Sequence, residues 1–417
     1  MDISSIPPKT DGRLRVLIVG AGLSGLALAH ALIKDGNEVY VFERDAGIVQ
    51  RSGYMLSING DGGEALRRCL PADLFEVYAE TSSRTSDRRG SVVLDDQLGV
   101  ITSMPHLGKP NEGERPHTAV HRKTLRQILQ SRLDDVLFYG VDVAGYDETP
   151  DDVTLRFADG TSVAGDVLVG ADGIRSAIRA QRMPEVQVIE AGIEGIGVYG
   201  RSPLPPEIVA ELPEVLIDDV TIAADRSGHR LLLGPVRPRR TTEEATRDNA
   251  PDIHLDHIDP YVMVSASVGD TVVPPNREWT AETPALLRDA MLRALEGWHP
   301  AARGLVERVE LDSLFMIPFG RLEPTPPWKP SRVTLIGDAA HAMLPTIGMG
   351  ANLALSDAAR LADALGSEAD VVKAVGEAEA GMRDYVYPFM AMTVAHDENF
   401  GGGGLKRLAT SSAGAAE

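Results

Sequence analysis

An α/β fold, in which a parallel-sheet unit is interrupted by a mixed β-sheet domain, is predicted by three observations. Near the start, apolar RVLIV (15–19) leads through a glycine loop into the helical LALAHALIKDG and on to a second apolar run, EVYVFE (38–43). Near the end, RVTLIGDAAH returns to the same strand–loop–helix order. Between about 180 and 325 the texture changes to short alternating runs, IGVYGR, HRLLLGPV and YVMVSASV, separated by Pro-rich loops. Helical spacing in the first stretch and period-two alternation in the last are the physical signals.

The first βαβ unit is delimited by its own chemistry. Its helix is expected to end at Gly36, since a glycine can close a helix in the left-handed conformation without a Cβ penalty. Residues 54–79 read as a strand or turn and then a helix around EALRRCL, and 80–115 as a polar, turn-rich stretch. HRKTLRQILQSRL (121–133) has helical spacing, and VTLRFADGTSVAGDVLVGADG (153–173) alternates about an ADGT turn as a hairpin does. The expected organisation is therefore a discontinuous unit of 13–79, 115–180 and 325–395, with 80–114 and 181–324 forming the inserted sheet domain and 400–417 a flexible tail. There is no repeat of 20–50 residues.

The composition excludes several classes. Hydrophobic residues make up 43% and charged ones 24% of the 417, an ordinary globular balance. A net charge of −20 disfavours nucleic-acid and anionic-membrane partners. The basic RPRR (237–240) is followed by TTEEATRD and reads as a charge-compensated loop. With Cys69 the only cysteine, neither an intrachain disulfide nor a cysteine metal cluster can form, and a cytoplasmic location is expected. The N-terminal MDISSIPPKTDG lacks signal-peptide order, and no apolar run reaches the roughly 18 residues of a membrane span. No His/Cys/Asp cluster has metal spacing, and oligomeric state is left open.

Three loops carry the chemistry. In the first, VGAGLSG, Gly20, Gly22 and Gly25 allow in turn a tight turn, close approach of a pyrophosphate to backbone amides and tight helix–strand packing. Leu23 and Ser24 lie in the first helical turn, whose free amides favour anions. Glu43 ends the next strand 18 residues beyond Gly25, where a carboxylate can accept from both ribose hydroxyls. An adenine dinucleotide, FAD or NAD, is expected; Glu43 argues against a 2′-phosphate, although Arg44 beside it complicates that inference.

In the second loop, DVLVGADGIRSAIR (166–179), Asp172 either caps the following helix or turns toward a ligand. In the third, IGDAAHAMLPTIGMGAN (336–352), Gly337 permits close approach and Asp338 can accept from a sugar or ribityl hydroxyl. Pro345, Gly348 and Gly350 shape a second approach, and the helix from about Ala351 offers free amides to a site of partial negative charge, such as the N1/C2=O edge of a reduced flavin.

GAGLSG with Glu43, GADGIRS and IGDAAHAMLPTIGMGAN, in this order and at these separations, resemble the three fingerprints of single-component FAD-dependent aromatic hydroxylases, the para-hydroxybenzoate hydroxylase-like family. The resemblance spans most of 13–365. It implies a glutathione-reductase-type FAD domain roofed by a sheet domain, with NADPH or NADH reducing the flavin without a second dinucleotide fold. It further implies that oxygen would add at flavin C4a and that the hydroperoxide would pass one oxygen atom to an aromatic or polyketide-like small molecule. It also implies FAD and nicotinamide contacts from Asp172 and Arg175, ribityl and pyrophosphate binding by Asp338, and phosphate contact from Arg122, with Arg51 a weaker match. Gly348 to Asn352 would lie along the isoalloxazine, and Pro345 would line the reaction cavity.

Other candidates have plainer explanations beside functional ones. His341 reads as a packing residue rather than a general base. Tyr199 and His229 belong to the roof and can face the pocket or away from it. Met343, Met349 and FMIPFG (315–320) suit a cavity wall or a core. Two rival activities fit parts of the pattern. A flavin halogenase lacks support because none of the three Trp begins W-x-W-x-I-P. A flavoprotein scaffold performing non-redox cyclisation of a natural product would share every motif.

Overall fold

The computed structural model describes residues 3–9, 12–47, 54–83, 90–105, 107–109, 118–190, 196–218, 220–266, 280 and 283–396. Arg51 and the tail expected from 400 lie outside them.

The chain opens with β1 (Arg15–Val19), α1 (Leu23–Lys34) and β2 (Glu38–Glu43). β1 is buried along its whole length, as befits a run with no polar side chain after Arg15. α1 ends on Gly36 at φ +85°, with the Gly36 and Asn37 amides donating back to Ile33 O and Leu32 O at 3.0 Å each. Next come β3 (Met55–Ile58), α2 (Gly60–Cys69) and α3 (Ala72–Thr81), then β4 (Gly90–Asp95) and β5 (Val100–Pro105). The polar texture of 80–115 thus conceals two strands: their outer faces carry Ser, Thr and Asp, and β4 is fixed by pairing with a strand far along the chain. β6 (Thr118–His121) returns to pair with β3, followed by α4 (Arg122–Gln130), β7 (Leu137–Tyr139), β8 (Val143–Glu148), β9 (Val153–Phe157), β10 (Ser162–Gly165), β11 (Val167–Gly170) and α5 (Ala177–Arg182).

The remainder runs β12 (Ile189–Glu190), β13 (Ile196–Pro203), α6 (Pro206–Glu211), β14 (Thr221–Ala224), β15 (Arg230–Val236), α7 (Thr242–Asn249) and β16 (Tyr261–Ala266). Then follow α8 (Thr283–Ala294), α9 (Pro300–Glu307), β17 (Phe315–Pro318), β18 (Gly320–Arg321), β19 (Val333–Leu335), α10 (Asp338–His341), α11 (Gly350–Ser367) and α12 (Val371–His396). Among the described residues no helix is long and apolar enough to cross a membrane, and no group of three His, Cys, Asp or Glu is placed to hold a metal.

Two sheets position the site. The first is wholly parallel, in the order β19-β11-β1-β2-β7, with β1 at its centre. Parallel strands need crossover connections, and here one crossover from β11 to β19 contains most of the second sheet. That second sheet is mixed, in the order β17-β13-β16-β15-β14-β4-β5, with only β14 and β4 parallel. Its far face packs Val198, Leu231, Leu233, Val262 and Val264 against α8 and α9. Its near face turns Tyr199, Leu232, Val236, Tyr261 and Met263 toward Tyr54 and toward Met55, the first residue of β3. Alternation along each strand produces this division.

Two of the three arginines in RPRR (237–240) are neutralised locally: Arg237 pairs with Asp218 at 3.1 Å and Arg240 with Asp248, while Arg239 donates to Ala79 O at 3.3 Å.

A three-loop cofactor cradle

The first loop is shaped by contacts that allow no side chain. Gly20 has φ +107°, and a Cβ there would lie 2.3 Å from Ala171 O, in the second loop. A Cβ on Gly25 would lie 2.1 Å from Gly20 O, so helix and strand meet backbone to backbone. Gly22 differs, since the nearest atom to its would-be Cβ is 3.9 Å away, leaving room beside the turn. α1 starts at Leu23 with no side-chain cap, so the amides of its first turn, through Ser24 and Gly25, are available to an anion.

Glu43 braces the turn. Its Oε2 accepts from Ala21 N at 2.8 Å and its Oε1 from Asp45 N at 3.0 Å, while Arg44 is exposed. Arg126, one helical turn beyond Arg122, donates from Nε to Ala21 O at 3.0 Å and approaches Glu43 at 3.7 Å. The sequence reading missed Arg126; its signal was the i, i+4 spacing that puts both arginines on one face of α4.

In the second loop Asp172 serves as a cap and retains a free atom. Its Oδ2 accepts from Ala177 N at 2.7 Å, whereas its Oδ1 is buried without a hydrogen-bond partner among the described residues. Burial pushes the Asp172 carboxyl above its ordinary value. A buried acceptor left open in a cleft suits a hydroxyl donor. Arg175, by contrast, is exposed and pairs with Glu190 at 3.0 Å. Arg179 is the arginine that turns inward, donating to Ala339 O at 2.9 Å and tying the second loop to the third. Arg175→Ala should therefore change stability by no more than about 0.5 kcal/mol and leave flavin affinity within about twofold of wild type, by urea titration and fluorescence quenching.

The third loop packs on the first. Gly337, at φ +59°, has no room for a Cβ, which would lie 2.9 Å from Ser24 Oγ. Its amide donates to Asp357 Oδ2 at 3.0 Å, and that oxygen also meets His341 Nε2 at 2.5 Å. Burial opposes charge on His341, but the Asp357 carboxylate outweighs it and holds the imidazole above its ordinary value. Completely enclosed, His341 braces the loop from behind.

Asp338 is exposed at the start of α10, facing Arg122 across the cleft. Burial lowers the pKa of the half-buried Arg122 guanidinium and Asp338 opposes this; Arg122 makes no ion pair within 4 Å among the described residues. Pro345 and Gly348 are exposed, and space is open around Gly348, at φ +67°, and around Gly350. α11 begins at Gly350 with no side-chain cap, so the amides of Gly350 and Ala351 stand free at its N-terminus. Asn352 is buried: its Oδ1 accepts from Asn59 N at 2.9 Å, and its Nδ2 donates to Ser57 O at 2.9 Å and Gly348 O at 3.3 Å. Asn352 therefore fixes the loop's shape through its side chain.

Beside this cradle lies an aromatic cluster. Phe315 packs edge-on to Tyr54 at 5.1 Å and parallel to Tyr199 at 5.6 Å between ring centres. Tyr199 is half-buried on the near face of the roof. His229 is placed elsewhere: it pairs with Asp225 at 2.8 Å, and Trp298, from the far-face core, donates to the same carboxylate at 3.4 Å. The 225–229 turn claims this imidazole.

Uncapped helix amides, an orphaned carboxylate oxygen and a cation facing one cleft fit an extended dinucleotide, so fold and site together define a flavin-binding α/β oxidoreductase class. Residues 323–375 match the family model described as FAD binding domain, and 18–66 that described as NAD(P)-binding Rossmann-like domain. Salicylate hydroxylase of Pseudomonas putida is 31% identical over 85% of this chain and 77% of its own length. The dual O-methyltransferase/FAD-dependent monooxygenase elcB of Phaeosphaeria nodorum is 32% identical over 92% of this chain, which spans only 44% of that protein. The structure of Klebsiella pneumoniae HpxO complexed with FAD and uric acid superposes with a TM-score of 0.74 over 96% of this chain and 92% of its own; at 22% identity it shows the shared fold. The chain belongs to the FAD-dependent aromatic hydroxylase family, whose cofactor is FAD.

Proposed function

We propose that this protein is an FAD-dependent monooxygenase that inserts one atom of dioxygen into an electron-rich aromatic or polyketide-like small molecule. The observation that carries the reading is the convergence of the three glycine loops beneath the aromatic face of the mixed sheet. FAD, once reduced by NADPH or NADH, supplies the activation of oxygen. The chain's own residues bind, orient and exclude water. Amides of Leu23 to Gly25 and the Arg122 guanidinium would neutralise the pyrophosphate, Glu43 would accept from the ribose, and Asp172 Oδ1 and Asp338 would accept from cofactor hydroxyls. The amides of Gly350 and Ala351 would favour negative charge at the edge of the ring system, a preorganised donor arrangement of the kind that stabilises developing anions.

Substrate orientation falls to the roof. Tyr199 presents a flat half-buried ring beside Phe315, and Pro345 stands exposed on the facing loop. An aromatic substrate between such surfaces is held by stacking, and exclusion of water does the rest. The name of the P. putida relative, a salicylate hydroxylase, supports an aromatic substrate class. The test is twofold: purified protein should carry or take up FAD in a one-to-one ratio, and a panel of phenols should stimulate NAD(P)H oxidation with an oxygenated product. Flavin uptake with product formed in the absence of NAD(P)H and oxygen would instead support the scaffold-type cyclase.

A further inference from the structure

The roof and the cofactor cleft meet at one buried knot. Tyr261 on β16 is hydrogen-bonded through Oη to Nδ1 of His121 at 2.7 Å, across 140 residues of chain. His121 ends β6 and immediately precedes Arg122, the first residue of α4. Tyr54 flanks the same point, its carbonyl accepting from Arg122 N at 2.6 Å. On the other side Tyr54's hydroxyl donates to Ser313 O, next to β17. Arg201 of β13 stacks over both phenol rings, 5.4 Å from Tyr54 and 6.0 Å from Tyr261.

The two residues that fix the backbone of Arg122 are thus each tied to the roof by a phenol hydroxyl. Apolar contact between the layers, such as Met55 against Gly234, would hold them together but leave them free to slide. Directional hydrogen bonds remove that freedom. Burial, aided by Arg201 and Lys123, holds His121 down to about 4, so the imidazole is neutral at ordinary pH.

We propose that Tyr261 and His121 form a positioning pair that sets Arg122 over the cofactor cleft and so couples the substrate-side sheet to cofactor affinity. Both side chains are buried, and their effect on the cofactor passes through Arg122. The proposal rests on the reading of the cleft as an FAD site.

A double-mutant cycle on flavin-depleted full-length protein, read by quenching of FAD fluorescence, tests it. Tyr261→Phe keeps the ring in the knot and removes only the hydroxyl. The expected result is about tenfold weaker FAD binding in the wild-type background and less than about twofold in an Arg122→Met background. His121→Asn, which keeps a hydrogen-bonding atom near the Nδ1 position, should bind FAD more tightly than His121→Ala. Equal weakening by Tyr261→Phe in both backgrounds, or equal loss in the two His121 variants, would mark the pair as merely structural and overturn the proposal. Unchanged binding by Tyr261→Phe beside normal wild-type binding overturns it alone. A wild-type protein that takes up no FAD overturns the functional reading as well.

Discussion

Gly20→Ala is expected to yield protein with less than about a tenth of the wild-type flavin content and a lower midpoint of urea unfolding. Two penalties combine. A non-glycine residue in the left-handed half of backbone space costs about 1–2 kcal/mol, and here φ is +107°. The new Cβ would also lie 2.3 Å from Ala171 O and 2.8 Å from Asp172 Cα, both main-chain atoms that cannot rotate away. Overpacking of this kind costs about 1–3 kcal/mol more. The relief available is to push the first and second loops apart, which moves the Asp172 carboxylate out of the cleft. Gly22→Ala separates folding from binding. Its Cβ has room in the protein, so the unfolding midpoint should stay near wild type while flavin affinity falls by crowding of the phosphate approach. Flavin content and stability in Gly20→Ala equal to wild type would show that tight loop-to-loop packing is not what builds the cradle.

The second large effect is expected at Asp357. Asp357→Ala removes the partner of an enclosed imidazole and the acceptor for Gly337 N, a loss of about 3–5 kcal/mol for breaking a buried pair. The pH dependence follows from the direction of the His341 shift. The folded-state value lies above the ordinary 6.5, so the unfolded chain binds its proton less readily than the folded one. The pair's contribution is complete below about 6.5 and is lost as pH rises through the raised folded value. Wild-type stability and flavin retention should therefore decline on the alkaline side, and Asp357→Asn should flatten that decline. A wild-type curve with no alkaline decline, or an Asp357→Asn curve parallel to it, would contradict the assignment.

Much of this architecture was legible in the residues themselves, because its determinants are local. The glycine spacing of the first loop, the apolar runs on either side of it and the Gly36 stop each act within a few residues. What escaped depends on contacts between distant segments. β4 and β5 were hidden because their alternation is weak and β4 is held by β14, some 130 residues later in the chain. Arg175 is named only through the family resemblance; the inward turn of Arg179, one helical turn on, to the third loop depends on the register of α5 against distant Ala339. His229 could not be assigned a face until the Asp225 turn showed where its ring is spent. Arg126 could be placed on one helix face with Arg122, but its partner Ala21 lies more than 100 residues away, and the Tyr261–His121 pair left no local mark at all. Tyr199 was readable as a strand residue, but only the register against Phe315 shows which way it turns.

The order in which the parallel sheet is completed has a consequence for how the molecule is made. Its edge strand β19, Val333–Leu335, emerges from the ribosome only after the entire roof has been synthesised. At about 5–20 residues per second, the stretch of chain between β11 and β19 takes on the order of 10–30 s to make. During that time β11 has no neighbour on one flank, and nothing can grip a flavin from the third side. Uptake of the coenzyme is consequently a late event in biogenesis, and nascent chains arrested before residue 335 should emerge colourless however long they wait.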